Sequence, residues 1–178
     1  MSNWATISGS VGKKKQPNLP IKALWNDFGA TDMRVLLRAG RRRSVSSGTI
    51  LIEDGKASNE LFIILDGLLS VTRKGKVVCN DMDAGAIAGE ISFLTNQKPI
   101  ATVRARTNAE LFVISKSKLR STLRKDPAFS ASLYRVLGGF AADRLRRELG
   151  DSSAAGQTAP GKSTSKAFKS FLERLRAG

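Results

Sequence analysis

Histidine is absent from all 178 residues of the chain. The commonest general base and the commonest metal ligand are therefore missing, so histidine-dependent catalysis and zinc chemistry are not expected. Cysteine occurs once, at Cys79. A single thiol closes no internal disulfide, and its ordinary reading is a small core residue. Long apolar runs are also missing. The longest, Leu61 to Leu65, has five residues, whereas a membrane-spanning helix needs about 20. Met1 to Gly12 lacks the apolar stretch of a secretory leader, and a cytoplasmic, non-enzymatic protein is the expectation. Trp4 and Trp25 show no interleaving with basic residues of the kind that stacks on nucleic-acid bases.

What is present is one core's worth of hydrophobic residues, 41% of the chain, in a length that suits one domain with tails. The formal net charge is +15, and it is unevenly spread. Residues 1–48 carry net +7, residues 49–115 net −1, residues 116–150 net +6 and residues 151–178 net +3. The excess lies outside the central segment. Such a distribution suggests cationic arms and helices around an uncharged module rather than one nucleic-acid-binding face.

Residues 1–20 are rich in Ser, Gly and Lys, include Lys13 to Lys15, and read as a flexible basic arm. From Ile21 the spacing of Leu24, Trp25, Phe28, Met33, Leu36 and Leu37 predicts two short helices, the second capped by Thr31 or Asp32. Gly40 reads as a helix C-cap, and Arg41 to Arg43 as a solvated corner between helix and strand. Short β-branched runs then predict strands at Thr49–Glu53, Leu61–Leu65, Leu68–Arg73, Lys76–Cys79, Ile100–Arg104 and Leu111–Ser115. Between them stand turn pairs such as Asp54-Gly55 and Asp66-Gly67. Asn80, Asp81 and Asp83 read as a turn, since no Glu follows at the distance a Ca²⁺ loop requires. Strands at this spacing imply a closed barrel or jelly roll over about 45–115.

Helical periodicity resumes over about 116–149, where Phe129, Leu133, Val136, Leu137, Phe140, Ala141, Leu145 and Leu149 form a stripe. Arg135, Arg144, Arg146 and Arg147 occupy the remaining surface. A helix of about 22 residues, roughly 33 Å long, overhangs a small barrel, so residues 128–149 offer a homodimer contact. Gly138-Gly139 marks a close backbone approach or a hinge. Residues 151–165 read as a flexible linker, and 166–178 as an amphipathic basic helix built on Ala167, Phe168, Phe171, Leu172 and Leu175.

The chemistry-bearing stretch runs Gly85-Ala86-Ile87-Ala88-Gly89-Glu90-Ile91-Ser92-Phe93-Leu94, followed by Lys98-Pro99-Ile100-Ala101-Thr102-Val103. A glycine-rich turn entering a short helix offers backbone N–H groups to an anion. Glu90 suits sugar hydroxyls. On its own, a Gly-Glu pair before a helix is equally an ordinary turn with a dipole-favoured carboxylate.

Together with Gly48-Thr49-Ile50-Leu51-Ile52, Gly55, Glu60 to Gly67, Ala101-Thr102-Val103 and Leu111 to Ile114, this stretch resembles the cyclic-nucleotide-binding domain family. That family is shared by catabolite activator protein-like regulators, protein kinase A regulatory subunits and gated channels. The resemblance covers about Leu24 to Leu149. It implies a mainly β fold: an eight-stranded jelly roll with N-terminal helices, a phosphate-binding cassette and two following helices, the domain spanning 21–150. It also implies ligand contacts at Gly89, Glu90, Ile91, Ser92, Lys98, Pro99, Ile100, Ala101 and Thr102, with cAMP or cGMP as ligand. In the family, the glutamate binds ribose hydroxyls while an arginine and a neighbouring hydroxyl grip the cyclic phosphate.

Here Gly89 and Glu90 match, but Pro99 and Ile100 occupy the arginine and hydroxyl positions. A charge-assisted hydrogen bond is worth about 1.5 to 3 kcal/mol, so its loss should weaken phosphate binding roughly 10- to 150-fold. Lys98 carries a charge on a flexible stem without the planar fork, and its alternative reading is a solvated loop lysine. Thr102 keeps a hydroxyl near the pocket.

Two functions follow. One is a sensor with weak or altered nucleotide binding. The other is a ligand-independent scaffold whose basic tails bind an acidic protein partner or, non-specifically, nucleic acid. In the second case the pocket is filled by side chains or by the segment around Phe168 and Phe171. Sequence-specific DNA binding is not expected, because 29 residues after Leu149 are too few for a helix-turn-helix domain. Membrane attachment by Lys166 to Arg176 ranks below intramolecular docking of that helix.

Overall fold

The structure, a computed structural model, describes residues 25–148 and 166–177. The predicted arm at 1–20, the start of the predicted domain at 21–24 and the predicted linker at 151–165 lie outside the described residues.

Among the described residues, eight strands form two antiparallel sheets. The first runs in the order β1 (Gly40–Val45), β8 (Ala109–Ser115), β3 (Glu60–Asp66) and β6 (Ile87–Ala88). The second runs β2 (Ile50–Ile52), β7 (Thr102–Ala105), β4 (Leu69–Arg73) and β5 (Lys76–Met82). Together they make the jelly roll. Its interior is filled by Ile52, Phe62, Ile64, Leu69, Val71, Val103, Leu111 and Val113. The alternate residues of β3, Leu61, Ile63 and Leu65, face the other way and pack with Phe112 and Ile114 of β8 under a helical layer. Both faces of β3 are therefore buried. This accounts for five consecutive apolar residues where a one-sided strand would alternate.

The helical layer consists of α1 (Ala30–Ala39), α3 (Lys116–Lys125), α4 (Pro127–Glu148) and α5 (Lys166–Ala177). A single turn of 3₁₀ helix at Trp25–Asp27 precedes α1. The cap of α1 is Gly29, not Thr31 or Asp32. Asp32 stands in the first turn and accepts a hydrogen bond from the Gly29 N–H at 3.0 Å. The short helix α2 (Glu90–Thr95) lies between β6 and β7. Among the described residues no helix is long and apolar enough to cross a membrane.

The structure corrects several expectations. Arg41 to Arg43 form the middle of β1, paired with Leu111 to Val113, rather than a corner. Two of the charges are met across the sheet surface: Arg43 pairs with Glu60, and Arg42 lies 3.4 Å from Glu110. Gly40 is the C-cap of α1, as expected, and it is also the first residue of β1. Its backbone is extended, and a Cβ there would fall 2.5 Å from the Phe112 ring and 2.8 Å from the Val113 carbonyl. Glycine is thus required by close approach of β1 to β8. Asn80 and Asp81 continue β5 rather than forming a turn. A Cβ on Gly138 would meet open space, so no close backbone approach explains that glycine. Leu145, assigned to the apolar stripe of α4, is exposed.

The segment around Phe168 and Phe171 does not fill the barrel. It docks on the outside, where both rings are fully buried. Phe171 stacks on Trp25 with ring centres 5.9 Å apart and meets Phe112 edge-on at 5.4 Å. Phe168 lies 5.4 Å from Trp25. Burying a phenylalanine side chain is worth about 1.5 to 3 kcal/mol, which offsets the ordering of a helix this short.

Candidate functional site

The cassette is built where β6 ends. Gly89 takes a left-handed conformation, φ 91°, and a Cβ on it would stand 3.0 Å from the Glu60 carbonyl. Both facts call for glycine. The chain turns there into α2, whose six residues are held from three sides. Lys116, at the start of α3, donates to Ser92 Oγ at 2.7 Å and to the Ser58 carbonyl at 2.9 Å. Ser92 Oγ in turn donates to the Gly89 carbonyl at 3.1 Å. Arg120, one turn further along α3, donates to the Phe93 carbonyl at 2.9 Å and to Asn96 Oδ1 at 3.2 Å. Its guanidinium also lies over the Phe93 ring, 4.6 Å from the centre. From α4, Tyr134 stacks on the same ring.

Glu90 is the unusual member. Its side chain is 0% exposed, and neither carboxylate oxygen has a hydrogen-bond partner. Arg144 of α4 brings Nη1 to 2.9 Å from Oε1, an ion pair without hydrogen-bond alignment. The same guanidinium donates through Nη2 to the Ile87 carbonyl at 2.6 Å and approaches Met82 Sδ at 3.5 Å. Burial pushes the Glu90 carboxyl above its ordinary range. Arg144, the N–H groups of Glu90 and Ile91, which stand beside the carboxylate without full hydrogen-bond alignment, and Lys116 pull it back. Burial likewise lowers Lys116, assisted by the positive charge of Arg120 and opposed by Glu90.

The other predicted residues are more dispersed. Ile91 is half-buried on α2, and Ala101 packs against the barrel interior. Lys98 is exposed, and Ile100 is 51% exposed. The Pro99 carbonyl accepts from the Gly55 N–H at 2.8 Å, and Thr102 Oγ1 accepts from the Asp54 N–H at 3.1 Å. The 99–102 segment is thereby fastened to the turn after β2. Arg144, Lys116 and Arg120 were not singled out from the sequence, and Arg144 was read as a surface charge. One signal did point to it. Arg144 follows Phe140 by four residues and Leu137 by seven, which puts a cation on the buried stripe of α4.

Residues 42–126 match the family model described as cyclic nucleotide-binding domain. With the jelly roll already described, these residues are similar to that family in both sequence and fold. The cGMP-dependent protein kinase egl-4 of Caenorhabditis elegans is 34% identical over 71 residues, 40% of this chain and 9% of the kinase. The potassium/sodium hyperpolarization-activated cyclic nucleotide-gated channel 3 of Mus musculus is 32% identical over 100 residues, 56% of this chain and 12% of the channel. This chain therefore spans about a tenth of those relatives' length. A crystal structure of a cyclic nucleotide-binding domain from Methylobacillus flagellatus KT shares the fold. Its TM-score is 0.67 at 21% identity, over 78% of this chain and 84% of that one.

Proposed function

We propose that the chain is a non-enzymatic sensor domain whose ligand is a cyclic nucleotide, cAMP or cGMP, bound with reduced or altered affinity. The observation that carries this reading is Glu90, a fully buried carboxylate with both oxygens lacking a hydrogen bond. Leaving such a group unsatisfied costs about 1 to 3 kcal/mol or more, and a fold retains it where a ligand supplies the missing donors. Ribose hydroxyls are donors of the right kind. The names of the kinase and channel relatives point to the same ligand class. Reduced affinity follows from Pro99 and Ile100, which offer the cyclic phosphate neither charge nor hydroxyl. Lys98 and Thr102 complete the proposed contact set with Gly89, Ile91, Ser92 and Ala101.

The test is calorimetric titration of the full chain with cAMP and cGMP beside Glu90→Ala. Saturable binding that Glu90→Ala abolishes supports the reading. No heat at millimolar ligand, with the chain folded, rejects it.

A second reading has its own observation. Glu90 is covered as it stands and Ile100 is exposed, which suits a scaffold that uses its basic surfaces to hold an acidic protein. Salt-sensitive capture of a poly-glutamate peptide, unchanged by cyclic nucleotide, would favour the scaffold.

A further inference from the structure

We propose that Arg43 supplies the grip on the ligand's phosphate that Pro99 does not offer, its guanidinium exchanging the Glu60 carboxylate for the two exocyclic oxygens of the cyclic phosphate. The inference rests on the reading of Glu90 as the sugar-binding group and adds a phosphate-binding residue from β1, outside the cassette.

Register puts Arg43 on the inner face of its sheet. It stands opposite Leu111, which stands opposite Ile64, and both of those fill the barrel interior. Direct cross-strand partners share a face. The Arg43 guanidinium lies over the ring of Phe62, another interior residue, 5.8 Å from the centre. Its Nη1 donates to Glu60 Oε2 at 3.0 Å, and Nη2 donates to Oε1. Such a fork holds a carboxylate or a phosphate by the same pair of parallel N–H bonds. The two side chains are 31% and 35% exposed, so a ligand reaches the pair from solvent.

Glu60 ends a stretch of chain, residues 54–60, to which both halves of the cassette are fastened. On one side, a Cβ on Gly89 would lie 3.0 Å from the Glu60 carbonyl, and Lys116 ties the Ser58 carbonyl to Ser92. On the other, Pro99 and Thr102 bond to Gly55 and Asp54. Arg43 therefore brings a planar, permanently charged fork to the segment that the two halves share. Taking the phosphate means giving up Glu60. Only the surplus of the new contact over the old appears as binding, in keeping with reduced affinity.

The test is calorimetric titration of the full chain with cAMP in three forms: parent, Arg43→Gln and Glu60→Gln. Both substitutions remove the Arg43–Glu60 ion pair, but only the first removes the fork. Arg43→Gln should bind about 10- to 150-fold more weakly, the loss of one charge-assisted hydrogen bond. Glu60→Gln frees the fork of a competing carboxylate and should bind as tightly as the parent or tighter. Arg43→Lys, which keeps the charge without the fork and guards against misfolding of the first variant, should also bind more weakly than the parent. Weaker binding by both Gln variants would show the ion pair to be structural and overturn the assignment. Binding by Arg43→Gln equal to that of the parent would overturn it too, and if Glu90→Ala abolishes binding in the same series, the reading of Glu90 stands without Arg43. Absence of binding by the parent and Glu60→Gln alike defeats both readings.

Discussion

The indole N–H of Trp25 donates to the Gly85 carbonyl across 2.6 Å, tying the turn before α1 to the loop that leads into the cassette. The two residues are 60 positions apart in sequence, and the bond is buried. It joins the helical layer to the barrel just before the chain enters α2. Trp25→Phe keeps the aromatic packing but leaves that carbonyl without its donor. A buried unsatisfied group costs about 1 to 3 kcal/mol, and urea denaturation should show a loss of that size. A change below about 0.5 kcal/mol, the scatter of ordinary surface substitutions, would show the bond to be dispensable.

Docking of α5 is similarly open to measurement. Phe171 is fully buried between Trp25 and Phe112, so truncation leaves a cavity lined by aromatic rings. Phe171→Ala should destabilise the chain by about 3 to 5 kcal/mol if α5 unfolds with the rest, as buried Phe→Ala changes do. Thermal unfolding at two or more protein concentrations checks this. A loss under about 1 kcal/mol would mean that α5 leaves its seat at little cost.

The two sheets were legible in the sequence because turn residues separate runs of β-branched and aliphatic side chains, and because β3, being buried on both faces, announces itself as a solid apolar run. Two strands were hidden. In β1 the alternation is carried by arginines, two of whose charges are met across the sheet, so composition suggested a corner. In β6 two residues are too few for any period. Gly89 and Glu90 were legible as a local motif, whereas Lys116 and Arg144 reach the site from helices 26 and 54 residues further on. A local pattern does not report such approaches. The position of Arg144 on the apolar stripe of α4 was the available cue.

The acid-base behaviour of Glu90 gives a signed prediction. Burial raises its folded-state pKa above the ordinary 4.5. Between 4.5 and that raised value the folded chain keeps a proton that the unfolded chain has lost, so stability from this group is present at acid pH and is lost as pH rises through the window. The unfolding free energy of the parent, minus that of Glu90→Gln, should therefore fall as pH climbs from 4.5 and then level off. Urea denaturation across this pH range measures it. A difference that rises with pH would mean that the pairing with Arg144 outweighs burial.

The proposed reduction in affinity depends on Pro99 and Ile100. The Pro99 carbonyl, bonded to Gly55, is retained by any substitution, and Ile100 is exposed, so the double change Pro99→Arg with Ile100→Ser disturbs little packing. It should strengthen cyclic-nucleotide binding about 10- to 150-fold, the range expected for gaining one charge-assisted hydrogen bond. Calorimetry decides it. Affinity equal to that of the parent would mean that residues 99 and 100 do not face the phosphate.

The most direct test of a nucleotide site at Glu90 is a backbone amide NMR titration of the parent chain with cAMP and with cGMP. Saturable shifts of the Gly89, Glu90 and Ile91 amides, with parallel shifts in α4 near Arg144, are the expected result. Amides of the cassette that stay unmoved up to millimolar ligand, or shifts confined to the exposed basic surfaces, would contradict it.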